Sequence, residues 1–194
     1  LGGIDVPAVV RYGFGYIQGV DYAAQQLGVT PEVKYWYSGT FGPNDEIKAK
    51  MDSWYAEGTE IVFACGGGIF LSALSAAETA DGKMIGVDSD QGHISERFVT
   101  SAMKIIPAPL SVLLQSILDG GYMLPEANAG HDMILSIADG ACGLPTAEGS
   151  WRFKTFTMED YQMIKEKVLA EEVMISDATD MAPATVVTTV DFQN

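Results

Sequence analysis

Two hydrophobic periods alternate along the chain, and the switches between them predict its elements. From residue 7 to 28, Val9, Tyr12, Tyr16, Val20, Ala23, Ala24 and Leu27 recur at helical spacing, with Pro7 suited to the first turn and Gly28 to the stop. "VKYWYSG" (33–39) is rich in aromatic strand formers. Between Pro43 and Gly58, Ile47, Met51, Trp54 and Tyr55 share one helical face, and Asp45 and Glu46 favour its amino terminus. "EIVFACGGG" (60–68) and "KMIGVD" (83–88) are continuous apolar strands around a small-residue helix, "IFLSALSAAETADG" (69–82). Strands apolar on both faces and separated by helices predict an α/β fold, a doubly wound parallel sheet.

The remainder is less regular. "FVTSAMKII" (98–106) reads as a strand and "PAPLSVLLQSILDGG" (107–121) as a helix opened by prolines and closed by glycines. "HDMILSIADG" (131–140) is a strand candidate, and residues 157–173 form a helix with Thr157 as cap. The tail from residue 177 has no helical period and is expected to be partly disordered or to supply a stray strand. No solenoid-type repeat and no low-complexity linker interrupts the pattern.

Composition changes the picture in two ways. The net charge of −15 repels phosphate backbones and anionic headgroups, which argues against nucleic acid and direct membrane binding. The two cysteines, Cys65 and Cys142, make neither a disulfide framework nor a four-ligand zinc site. Cys65, inside an apolar run, reads as a small buried hydrophobe.

Candidate chemistry concentrates where strands end. "CGGG" (65–68) would expose backbone N–H groups at a helix start, but no Lys-Ser/Thr follows for a P-loop. Leu71 stands where a dinucleotide fingerprint needs glycine, although Asp88 lies about 20 residues beyond the glycines, as a ribose-binding acid would. In "DSDQGHISE" a calcium loop fails, because Gly92, His93 and Val99 occupy its fifth, sixth and twelfth positions. Asp88, Asp90 and His93 are a poor zinc donor set, and a lone histidine, His93 or His131, is ordinarily a surface or hydrogen-bonded residue. Ser89 near His93 lacks a nucleophile elbow. Most of the tyrosines and phenylalanines belong to the core; Phe41, in a loop between small residues, is placed to stack on a planar ligand. Asp90 reads as a turn or helix cap.

The series "GGIDVP", "SGTFGP", "FACGGG", "IGVDSDQ" and "TSAMK" resembles the basic membrane protein family, in consistent order over residues 1–121. Its members are extracytoplasmic, usually lipid-anchored solute-binding proteins of ABC importers, including purine nucleoside receptors. The resemblance implies one lobe of a two-lobe periplasmic-binding-protein-like fold plus part of the second. Residues 1–104 would form the carboxy-terminal ligand-binding lobe, 105–142 would belong with the other lobe, and 143–194 would return and end in the tail. It implies a nucleoside-like ligand between the lobes, an ABC permease as partner, no cofactor, no metal and no catalysis. Phe41 would stack on the base, Asp88 would take the ribose hydroxyls, Lys104 would lie near the ribose, and Gly67 and Gly68 would border the base edge. Apolar surface left open without the second lobe would favour a homodimer. Two other readings stay open: an α/β nucleotide-binding enzyme domain, and the effector domain of a repressor with the same two-lobe architecture.

Overall fold

The computed structural model describes residues 1–123, 126, 129–130 and 135–193. The elements run α1 (Pro7–Leu27), β1 (Glu32–Trp36), α2 (Asp45–Ala56), β2 (Ile61–Phe63), a 3-10 turn (Gly67–Ile69), α3 (Phe70–Ala80), β3 (Lys83–Asp88), β4 (Phe98–Lys104), α4 (Pro107–Asp119), β5 (Cys142–Gly143), α5 (Met158–Leu169) and β6 (Thr189–Gln193). Strand pairing gives one ladder of order β2-β3-β4-β5 and a second of β1-β6. Residues 1–3 join them, since Gly2 bridges in parallel to Tyr37 beyond β1 and to Cys65 beyond β2. The sheet is therefore β6, β1, residues 1–3, β2, β3, β4 and β5, parallel everywhere except at the β4–β5 edge.

The period-2 alternation of the strands sorts their side chains to two covered faces. Trp36, Val62, Ala64, Met84 and Phe98 pack with Ile47, Met51 and Trp54 of α2 and Ala73 and Ala77 of α3. Phe63, Cys65 and Val87 point the other way, onto Val9, Tyr12 and Tyr16 of α1. Tyr35 meets Val10, Phe14 and Ile17 on the same helix. Ile47, Met51, Met84 and Phe98 are fully buried, each worth about 1.5–3 kcal/mol of burial. The doubly wound arrangement follows from strands that are apolar on both sides.

Local signals set the helix ends. The Asn44 side chain caps α2 by accepting from Ile47 N–H at 2.8 Å, and a reciprocal Thr157–Asp160 capping box opens α5.

Two expectations change. Within 131–140, residues 131–134, His131 among them, lie outside the described residues, and Ser136–Gly140 is a turn rather than a strand. Asp139 explains this: its carboxylate accepts from Ser136 N–H at 2.8 Å and holds the backbone in a closed turn. The tail, left between disorder and a strand, becomes β6 and adds parallel to the β1 edge. Buried Asp21 of α1 anchors it, accepting from the N–H groups of Val186 (3.0 Å), Val187 (2.9 Å) and Thr188 (2.9 Å).

Candidate ligand site at the strand tips

Every parallel strand of the sheet ends on the same edge, and each of the five site residues predicted from the sequence follows or ends such a strand. Ligands of open α/β sheets bind beyond the carboxyl ends of the strands. Phe41 lies in the loop after β1, Gly67 and Gly68 in the turn after β2, Asp88 at the tip of β3 and Lys104 at the tip of β4.

Phe41, Gly67 and Gly68 form one contact. Gly68 N–H donates to the Phe41 carbonyl at 2.7 Å, so the loop after β1 is tied to the glycine turn. Gly67 has φ +56°, the left-handed region that glycine enters without steric cost. The Phe41 ring lies over Gly3, where an added Cβ would come within 2.5 Å of Cδ1. Gly3 in turn donates to Cys65 O and accepts from Gly39 N–H, both at 2.9 Å. Three strand ends thus hold Phe41, and the residue stays 43% exposed on the open edge.

Asp88 and Lys104 lie further along this edge. Asp88 pairs in register with Met103, one residue before Lys104. Asp88 is exposed with φ +66°, a conformation that aspartate tolerates better than most residues but that still strains the backbone. Among the described residues neither the Asp88 carboxylate nor the Lys104 ammonium has a hydrogen-bonding or ionic partner within the chain, and neither is hydrogen-bonded to the Phe41 loop. Both residues are exposed at the strand tips.

The residues after Asp88 shape the turn. Gln91 is buried; its Oε1 accepts from Val87 N–H at 3.2 Å, and its own N–H donates to Ser101 Oγ at 3.0 Å. Asp90 accepts from Ser150 Oγ (2.7 Å), Gly92 N–H (3.0 Å) and Arg152 Nη1 (3.5 Å). Burial works to raise its carboxyl, but Ser150, Gly92 and Arg152 outweigh that and hold it below the usual range. Asp90 therefore pins the segment around residues 150–152 to the turn. His93 Nδ1 lies 2.8 Å from the Asp90 carbonyl oxygen, so two of the three residues of the weighed zinc set, Asp90 and His93, have local structural roles.

Tyr12, read from the sequence as a core aromatic, packs against the core and also lies near Asp88. It is half-buried on α1 against Phe63, Cys65 and Val87. Burial, followed by the nearby Asp88 carboxylate, pushes its phenol pKa well up. Cys65 is pushed up to about 12, chiefly by burial, which makes it an inert packing thiol. Helical spacing marks Tyr12 as inward-facing; only the crossing of α1 over β2 and β3 shows which end of the sheet it meets.

The fold is an α/β lobe with a sheet edge on which the parallel strands all end. The chain is similar to the crystal structure of an ABC transporter system solute-binding protein from Aeropyrum pernix K1, with TM-score 0.71 and 18% identity over 92% of this chain and 57% of that one. It belongs to the Bmp family, ABC transporter substrate-binding protein PnrA-like, whose model matches residues 1–179. Its relatives include basic membrane protein B of Borrelia garinii subsp. bavariensis, 26% identical over 90% of this chain and 48% of the relative. Another is an ABC transporter nucleoside-binding protein BmpA of Lactococcus lactis subsp. cremoris, 24% identical over 50% of this chain and 28% of the relative. The chain spans about half the length of the first of these curated relatives.

Proposed function

We propose that the chain is the ligand-binding lobe of an extracytoplasmic, lipid-anchored receptor that delivers a purine nucleoside or similar solute to an ABC permease. Phe41 stacks on the base, Gly67 and Gly68 offer backbone at the base edge, Asp88 accepts two hydroxyls of the ribose diol, and Lys104 lies beside the sugar. Binding proceeds by closure of a second lobe over the strand tips, without chemistry on the solute. Residues 1–104 and 143–194 form this lobe, and 105–142 belong with the other. The exposure of every described α4 residue to at least an intermediate degree supports that division.

The observation that carries the ligand reading is the exposed Asp88 carboxylate at a strand tip, unpartnered among the described residues and held in left-handed backbone. A carboxylate binds a vicinal diol with two charge-assisted hydrogen bonds of about 1.5–3 kcal/mol each, and one without an internal partner is free to make both. Calorimetric titration of the two-lobed protein with adenosine, guanosine and inosine is expected to show binding. Asp88→Ala is expected to weaken it about 100-fold or more while sparing free-base affinity relatively. Equal nucleoside affinity in Asp88→Ala overturns the diol assignment, and turnover of nucleoside into base and sugar overturns the receptor reading.

A further inference from the structure

The turn at Asp88 departs from the usual way of joining parallel strands. Such strands ordinarily need a crossover helix, yet residues 89–97 carry the chain from the tip of β3 back to the start of β4 without one. The reversal begins at Asp88 itself, whose φ of +66° is left-handed. Ser89 N–H then donates back to Val87 O at 2.8 Å. A residue other than glycine holds such a backbone only where its surroundings over-determine it. The Asp88 side chain is exposed and makes no bond among the described residues, so the constraint comes from its neighbours.

Gln91 supplies it. Only 7% exposed, it accepts at Oε1 from Val87 N–H at 3.2 Å, one residue before Asp88. Its own N–H, three residues after Asp88, donates to Ser101 Oγ at 3.0 Å. Ser101 is fully buried on β4, opposite Gly86 of β3. Gly86 makes the room for both: a Cβ there would lie 2.4 Å from Gln91 Oε1 and 2.6 Å from Ser101 Oγ. It alternates with Met84 along β3, so this space opens on the face covered by α2 and α3. The glutamine side chain thus lies on the sheet where any other residue at 86 would place its own, and it ties both ends of the turn to the two central strands. Asp90 holds the outer side of the same turn through Gly92 N–H and Ser150 Oγ.

The geometry points to Gln91 as a positioning residue for ligand binding: from within the sheet it fixes the backbone on both sides of Asp88 and so sets the direction in which that carboxylate meets a diol. This rests on the reading of Asp88 as the diol acceptor and adds what orients it. The residue type supports the role. Met84 and Phe98 on the same face are fully buried and apolar, and an apolar side chain at 91 would fill the space over Gly86 without needing a partner. A buried amide is costly unless it is bonded, and the bond that Gln91 makes falls on the last N–H before the strained residue. Two hydrogen bonds from a diol demand a carboxylate held in one orientation, because a loosely held acceptor loses affinity to the ordering it must undergo on binding.

Gln91→Met keeps the length and packing of the side chain and removes the acceptor. In calorimetric titrations of the two-lobed protein it is expected to weaken nucleoside binding about tenfold and to leave free-base affinity unchanged. In the Asp88→Ala background the same substitution is expected to change nucleoside affinity no further. Ser101→Ala, which removes the other half of the anchor, is expected to give the same pattern. The three-bond HN–Hα coupling of Asp88, which reads φ without any ligand, is expected to leave its wild-type value in both variants. Equal weakening with and without Asp88, or of nucleoside and free base alike, shows a packing role only and overturns the proposal. An unchanged coupling in both variants overturns it too. Nucleoside affinity unaffected by Asp88→Ala refutes the diol reading instead, and the coupling then decides by itself whether Gln91 holds the turn.

Discussion

Asp88 and Asp90 lie two residues apart and have opposite fates, decided by their partners. Asp90 collects a serine hydroxyl, a backbone N–H and an arginine, whereas Asp88 shows no internal partner among the described residues. Phe41 depends on a residue that never touches the proposed ligand, since Gly3 leaves room for the ring. Gly3→Ala is expected to push the ring off the edge or cost about 1–3 kcal/mol of stability through overpacking. Nucleoside titration together with urea unfolding of the variant checks this; unchanged affinity and an unchanged midpoint would show that Gly3 has no positioning role. The strand-tip placement of Asp88 was legible in the sequence, because an apolar run that ends in a carboxylate marks a strand end. The position of Tyr12 was not, because helical spacing gives its inward face but not the strand it crosses.

Among the elements, β6 is the least expected. Its sequence, "TVDFQ", carries no strong strand signal, and it forms because β1 offers an open edge and Asp21 fixes the approach. Burial alone would raise the Asp21 carboxyl, but the N–H groups of Val187, Val186 and Thr188 outweigh it and hold the pKa well below the usual range. The sign follows from linkage: a depressed folded pKa contributes stability above the unfolded value of about 3.9. That contribution is lost as pH falls below this value toward the folded pKa. The tail is therefore expected to stay docked at neutral pH and to loosen in acid, with faster hydrogen exchange over residues 186–193. Asp21→Asn is expected to loosen it already at pH 7. Equal exchange rates in the variant and the wild type at pH 7 would show that β1 pairing alone holds the strand.

At the scale of the whole molecule, α4 is unfinished. Leu110, Leu114 and Leu118, at i, i+4 and i+8, are each more than half exposed, although one helical face carries all three. The isolated chain is expected to self-associate through this face, and Leu114→Glu with Leu118→Glu is expected to keep it monomeric. Sedimentation velocity across concentrations checks this, and a wild-type chain that stays monomeric at every concentration overturns it. Sequence by itself determined the period of each main element, the parallel sheet and the strand ends that carry Phe41, Gly67, Gly68, Asp88 and Lys104. These are written locally, in runs of apolar residues punctuated by glycine, proline and acid. Tertiary structure alone decided that residues 1–3 lie between β1 and β2, that the tail completes the sheet edge, and that Asp90 binds Ser150. Each of these joins residues 34 or more positions apart, and hydrophobic period carries no information about pairing across such a distance.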